Sequence, residues 1–135
     1  MPLVLTDSSG NVPANIKTPY VITLPYNASS VDMSVFVAPY ACRVSGITAR
    51  VTVAGTDGSA VTALVKKAAS GTAIASGTTL SSSIDLKGTA NTNQTITLTT
   101  TLADLDIAAG TAIGLDFTGT LTSATGVVCV VISPI

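Results

Sequence analysis

Histidine, tryptophan and glutamate are absent from this chain, and only 10% of its 135 residues are charged. Without imidazole there is no general base to activate a serine or cysteine nucleophile, so a catalytic triad is excluded. With glutamate missing, the side-chain carboxylates are seven aspartates. A carboxylate pair is the minimum for glycoside hydrolysis, and Asp104 with Asp106 is the closest pair in sequence. These two flank one leucine in a turn-like stretch, and a chain with 3 Tyr, 2 Phe and no Trp has few rings on which a sugar stacks. They read as exposed turn residues rather than as a catalytic pair or the start of a Ca²⁺ site, since no spacing approaches an EF-hand loop. The expectation is therefore a protein that is not an enzyme and holds no cofactor or metal.

Basic residues are as scarce as acidic ones. Six Lys and Arg against seven Asp give a net charge of −1, with a pI near 4.8. No long-range positive field results, which predicts no direct binding of nucleic acid. The one adjacent basic pair, Lys66-Lys67, reads as a solvated strand end. Cys42 and Cys129 are too few and too far apart for a metal motif or a disulfide framework. Each lies in an apolar segment, and both are expected to serve as small buried hydrophobes. Glycines fall singly in turns, and none forms a phosphate-cradling loop. No apolar run reaches the roughly 20 residues a membrane-spanning helix needs. The opening MPLVLTDSSG carries neither a basic leader nor the apolar run of a secretory signal, so synthesis in a cytoplasm is expected.

What remains is threonine, serine, alanine and valine. At 47% hydrophobic residues and a mean hydropathy of +0.61, the chain has enough apolar surface to offset the entropy of ordering its backbone. Its length suits one domain. Residues 1–18 have weak periodicity and carry Pro2 and Pro13, so they read as an extended N-terminal arm. Residues 19–135 form the domain proper, and from Tyr20 the period is two. Tyr20, Ile22, Leu24 and Tyr26 alternate with Val21, Thr23 and Pro25; Val31, Met33, Val35 and Val37 follow, with Phe36 on the other face. Between Ala41 and Ala54 the phase slips, and Ser45-Gly46 is placed to absorb the slip as a bulge.

After an Asp57-Gly58 turn, strands are expected at 61–68, 80–86, 95–100, 112–117 and 127–133. The run Val127–Ile132 is apolar on both parities, as in a central strand or one covered by a partner. Thr101–Ala109 offers one helical turn at most, with Thr101 and Asp104 spaced as a weak capping box. About eight short strands between turn signals predict an all-β fold, an antiparallel β-sandwich of the jelly-roll kind or a related Greek key.

Two distributions point to association. Tyr20, Tyr26, Phe36 and Tyr40, four of the five aromatics, fall within 21 positions beside the arm. Tyrosine suits interfaces because it joins apolar area to a polar tip, although core anchoring explains the same residues. The low charge adds to this, because a small monomer ordinarily keeps itself soluble with more charged side chains. Symmetric self-association is expected.

The segments VFVAPYACRVSGITARVTVAGTDGSAVTALVKKA, LKGTANTNQTITLTTTLADLDIAAGTAIGLDF and GVVCVVI resemble the capsid decoration, or cement, proteins of tailed bacteriophages. The resemblance covers roughly residues 35–132 and leaves the arm out. It implies a virion protein on the exterior of an expanded icosahedral shell, bound to the major capsid protein, commonly as a homotrimer, and stapling adjacent capsomers. On that reading Leu3, Val4, Leu5, Asn15 and Ile16 of the arm, with Tyr20, Tyr26, Phe36 and Tyr40, are the candidate contacts to capsid or sister subunits. A receptor- or glycan-binding module of a phage head fibre or tail would share the fold, and a bacterial surface or pilus-like subunit would also be Thr-rich and β-structured, though such a subunit is expected to be exported. Deleting residues 1–18 is expected to weaken coating of expanded heads, measured by co-sedimentation; coating with full-length affinity would remove the arm from the contact set.

Overall fold

Each period-two run forms a strand because the alternation puts its aliphatic side chains on one face. The computed structural model describes residues 19–135, so the expected arm and its Leu3, Val4, Leu5, Asn15 and Ile16 lie outside the described residues. Strands β1 (Tyr20–Tyr26), β2 (Met33–Val37), β3 (Cys42–Val53) and β4 (Thr62–Ala68) are followed by two short ones, β5 (Thr78–Thr79) and β6 (Ile84–Asp85). Then come β7 (Asn93–Ile96), the single turn α1 (Leu102–Leu105), β8 (Asp106–Ile107), β9 (Ala112–Thr118) and β10 (Thr125–Pro134). The front sheet runs β1-β10-β3-β7, with β8 also on β3; the back sheet runs β2-β9-β4-β5, with β6 also on β4. Every pairing is antiparallel.

The broken strands complete single rows. β7 and β8 lie end to end along β3, and β5 and β6 end to end along β4, giving four rows per sheet. Counted along the chain, the first row pairs with the eighth, the second with the seventh, the third with the sixth and the fourth with the fifth. That is one long hairpin wrapped across two sheets, the jelly roll, and it fixes which of the expected sandwich topologies this chain adopts.

Local irregularities follow from the sequence. Along β3 the buried positions are Cys42 and Val44, then Ile47, Ala49 and Val51. The register passes from Ile132 opposite Val44 to Val131 opposite Gly46, so Ser45 has no partner of its own and the expected bulge is there. A second bulge, with Val35 extra between Ser34 and Phe36, explains why Phe36 changes face. The expected strand 80–86 is interrupted among its serines. The Ser81 hydroxyl accepts the Val65 N–H at 3.1 Å, filling with a side chain a place a backbone carbonyl would hold. Thr101 stands at the N-cap of α1 but makes no side-chain cap bond; the Asp104 N–H donates to the Thr101 backbone carbonyl instead, so the capping box is not formed.

The core lies between the sheets. Leu24, Val44, Val65, Ile113, Leu115 and Ile132 are among its fully buried side chains. One flank is stitched shut: Thr97 carbonyl accepts from Ser82 N–H at 2.7 Å, and Leu80 carbonyl from Thr99 N–H at 2.9 Å, joining the β6 side of one sheet to the β7 side of the other. The outer face of the back sheet is roofed by the loop after β4. Ile74, 4% exposed, sits on Gly114, where an added Cβ would collide with the Met33 carbonyl and lie 2.9 Å from Ile74 Cγ1. Gly114→Val is therefore expected to cost about 1–3 kcal/mol by overpacking, read as a lower denaturant midpoint; an unchanged midpoint would show that this roof is not tightly seated.

Candidate interaction surface

With the back sheet roofed and one flank stitched, two surfaces remain open among the described residues. The first is the outer face of the front sheet. Its register lays out three cross-rows: Pro25, Val127, Arg50 and Asn93; Thr23, Cys129, Thr48 and Thr95; and Val21, Val131 and Gly46. Val127, Cys129 and Val131 are half-buried among the described residues, flanked by their neighbours in the sheet. This is the outer parity of the run that is apolar on both sides, and β10 is indeed a central strand, between β1 and β3. Beside Val127 and Cys129, an open depression of about 220 Å³ is lined by Thr48, Ala49, Arg50 and Asn93.

The second is the flank opposite the stitch, where β1 and β2 are the outermost rows of their sheets among the described residues. Exposed apolar side chains gather there: Val21 on β1, Val31 before β2, Val35 and Val37 on β2, and Tyr40 just after it. Val31 is 68% and Val37 59% exposed. Ile135 joins them, its N–H bonded to the Ala41 carbonyl at 3.3 Å.

The four clustered aromatics divide between this flank and the core. Tyr20 and Tyr40 meet edge to face with centroids 6.5 Å apart, and Tyr40 is substantially exposed. Burial holds the Tyr20 phenol above its ordinary pKa, with Tyr40 and Cys42 adding to the shift. Phe36 packs against the core while half-buried. Tyr26 is 3% exposed, its ring 6.1 Å from that of Phe117, and burial pushes its phenol up to about 12. It serves as a core anchor, and the close approach of its hydroxyl leaves no room for a Cβ on Gly126.

Most charges are spoken for. Lys66 and Lys67 are not the solvated strand end their adjacency suggests. The Lys66 ammonium lies 2.6 Å from Asp116 Oδ2 and donates to the Ala75 carbonyl, pinning the roof loop. Lys67 reaches the end of the sandwich and donates to the carbonyls of Asp106 at 2.8 Å and Ala103 at 3.3 Å, beside α1. Arg43 grips Asp106 through two bonds, Nε to Oδ1 at 2.5 Å and Nη2 to Oδ2 at 3.0 Å, which holds the Asp106 carboxyl below the usual range. Asp106 is thus tied to Arg43 on β8 while Asp104 lies in α1, and no group of three metal-ligating side chains occurs among the described residues. No helix among them is long and apolar enough to cross a membrane.

Comparison with protein-family models, curated proteins and solved structures finds no match to this chain. The surface itself was only half visible in the sequence. The clustered aromatics fall in the segment that forms the open flank, but the exposed apolar residues there are mainly valines, whose outward orientation depends on the Val35 bulge and on which row is outermost. Arg50 carried no signal beyond its outward parity on β3.

The two cysteines also separate. Cys42 is buried on the inner face and Cys129 half-buried on the outer face of the same sheet, and both are free thiols. Burial raises the Cys42 pKa, lowering its thiolate fraction as well as its access. Brief treatment of the native protein with a maleimide should label Cys129 and spare Cys42 by peptide mass spectrometry; equal labelling would contradict this placement.

Proposed function

We propose that this protein is a structural virion component that binds the exterior of an expanded icosahedral phage capsid and stabilises it by bridging neighbouring capsomers. The observation that carries the reading is the uneven finish of the sandwich. Among the described residues one sheet face, of Thr, Val and Cys around Arg50, and one flank of exposed valines are open, while Ile74 sits on the other face and the other flank is stitched by backbone bonds. Such a body is stiff and presents contact surface on two adjoining sides, which suits an object that touches two neighbours at once. The resemblance of residues 35–132 to capsid decoration proteins supports the same reading.

The physical logic is that of multivalency. A shell repeats the same binding site many times, so contacts of modest strength suffice if each copy engages more than one capsomer. Low charge fits a surface meant to be covered, because charged side chains are costly to desolvate and are depleted in interface centres. Self-association as a homotrimer, with the major capsid protein as partner, belongs to this proposal, as does a role without catalysis. In the test, purified protein is mixed with expanded, undecorated heads of the phage encoding it and imaged by electron cryomicroscopy. Regular density over the shell exterior, with heads that resist heating better, is expected. Occupancy confined to a portal or single vertex, or binding of the free protein to a glycan array, would move the assignment to a fibre or receptor-binding module.

A further inference from the structure

We propose that the outer face of the front sheet is where the partner protein docks, and that Arg50 receives a carboxylate of that partner at its centre. The inference rests on the decoration reading for the partner's identity, a shell surface presenting an acidic side chain among aliphatic ones. Among the described residues Arg43 is held by Asp106, Lys66 by Asp116 and a carbonyl, Lys67 by two carbonyls and Lys87 by the carbonyls of Asp57 and Ser59. Arg50 alone has neither a carboxylate nor a pair of carbonyls; its Nη1 donates to Asn93 Oδ1 at 3.3 Å.

Its position makes that surplus informative. Arg50 lies opposite Val127 on one side and Asn93 on the other, at the rim of the depression that also holds Cys129. A guanidinium bonded on one nitrogen still presents donors in a planar fork, which matches a carboxylate. Val127, Pro25 and Cys129 beside it would exclude water when covered, and a charge-assisted bond strengthens as water leaves. Arginine framed by apolar residues is a common composition for the few side chains that carry an interface's affinity.

The charges on this sheet argue against two copies meeting through this face. Asp106, the acid carried by the strands of this sheet, is already gripped by Arg43 with both oxygens, so an identical face brings Arg50 no free carboxylate. On the decoration reading the carboxylate comes from the shell surface, and a second copy engaging through another of its faces is an outcome the test separates.

The test measures binding of purified variants to expanded heads by co-sedimentation. Arg50→Ala is expected to weaken apparent binding about thirtyfold or more, as loss of one member of a buried interfacial charge pair does. Arg50→Asp should abolish it, and Arg50→Lys should recover part, keeping the charge without the fork. Ala73→Asp, on the loop roofing the opposite sheet, should bind as the unaltered protein does. Thermal midpoints confirm folding, which an exposed residue with one weak bond should not alter. Unchanged head binding by Arg50→Asp, with the unaltered protein coating normally, overturns the docking face and leaves the decoration reading standing. Failure of the unaltered protein to coat heads overturns both. Loss of self-association rather than of head binding in Arg50→Asp, seen by sedimentation velocity, assigns the face to a second copy and overturns the proposal.

Discussion

The seating of β10 between β1 and β3 is the constraint on which this structure depends. Seven of its residues pair with β1 and ten with β3, and the two sets of bonds hold the front sheet together. Its inner parity, Val128, Val130 and Ile132, is fully buried and faces the core. Its outer parity, Val127, Cys129 and Val131, makes the open face. One strand therefore sets both the stability of the sandwich and the character of the surface it presents. A polar substitution on the inner parity would leave an unsatisfied group in a dry core, whereas one on the outer parity would change what the face can bind while leaving the fold intact.

The rest of the molecule completes what β10 leaves unfinished. Ser82, Thr97, Thr99 and Leu80 link the two sheets at one flank by direct bonds, which leaves that side without a free strand edge there. Ile74 and the Lys66–Asp116 pair do the same for the back sheet with a loop. The side chains left uncovered on the front face are mostly uncharged, with Arg50 and the Arg43–Asp106 pair the exceptions. This distribution gives physical content to the scarcity of charge: the few ions present are mostly consumed in holding loops and strand ends in place.

Much of the fold was legible because period-two alternation is a local property. The strands near 20–26, 33–37, 42–53, 62–68, 112–118 and 125–134 and the Ser45-Gly46 bulge follow from adjacent residues, whereas the doubly apolar run of β10 fitted a central or a partner-covered strand and its pairing with both β1 and β3 makes it central. The division of 78–85 into β5 and β6 did not, because it turns on the Ser81 hydroxyl meeting a strand 16 residues away. The lysine pair was misjudged for a similar reason, since what tethers Lys67 is the carbonyl of Asp106, 39 positions on. Of the candidate contact residues, the rings of Tyr20 and Tyr40 stand on the open flank while Tyr26 is enclosed. Periodicity alone could not tell these apart, because all depend on which row ends up outermost.

The nesting of first row with last also governs how the chain reaches this state. β1 finds its partner in β10 about a hundred residues later, so no early segment can close the front sheet by itself. Pairings so distant in sequence carry a large loop-closure cost, which makes folding slow compared with helical domains of the same size. During synthesis β1 and β3 must wait, with a vacant place between them, until residues 125–134 emerge. Their exposed edges are for that interval open to strands of other chains. Rapid, crowded production of many copies would thus favour aggregation before closure, and help in keeping those edges apart would matter more to yield than the stability of the finished sandwich.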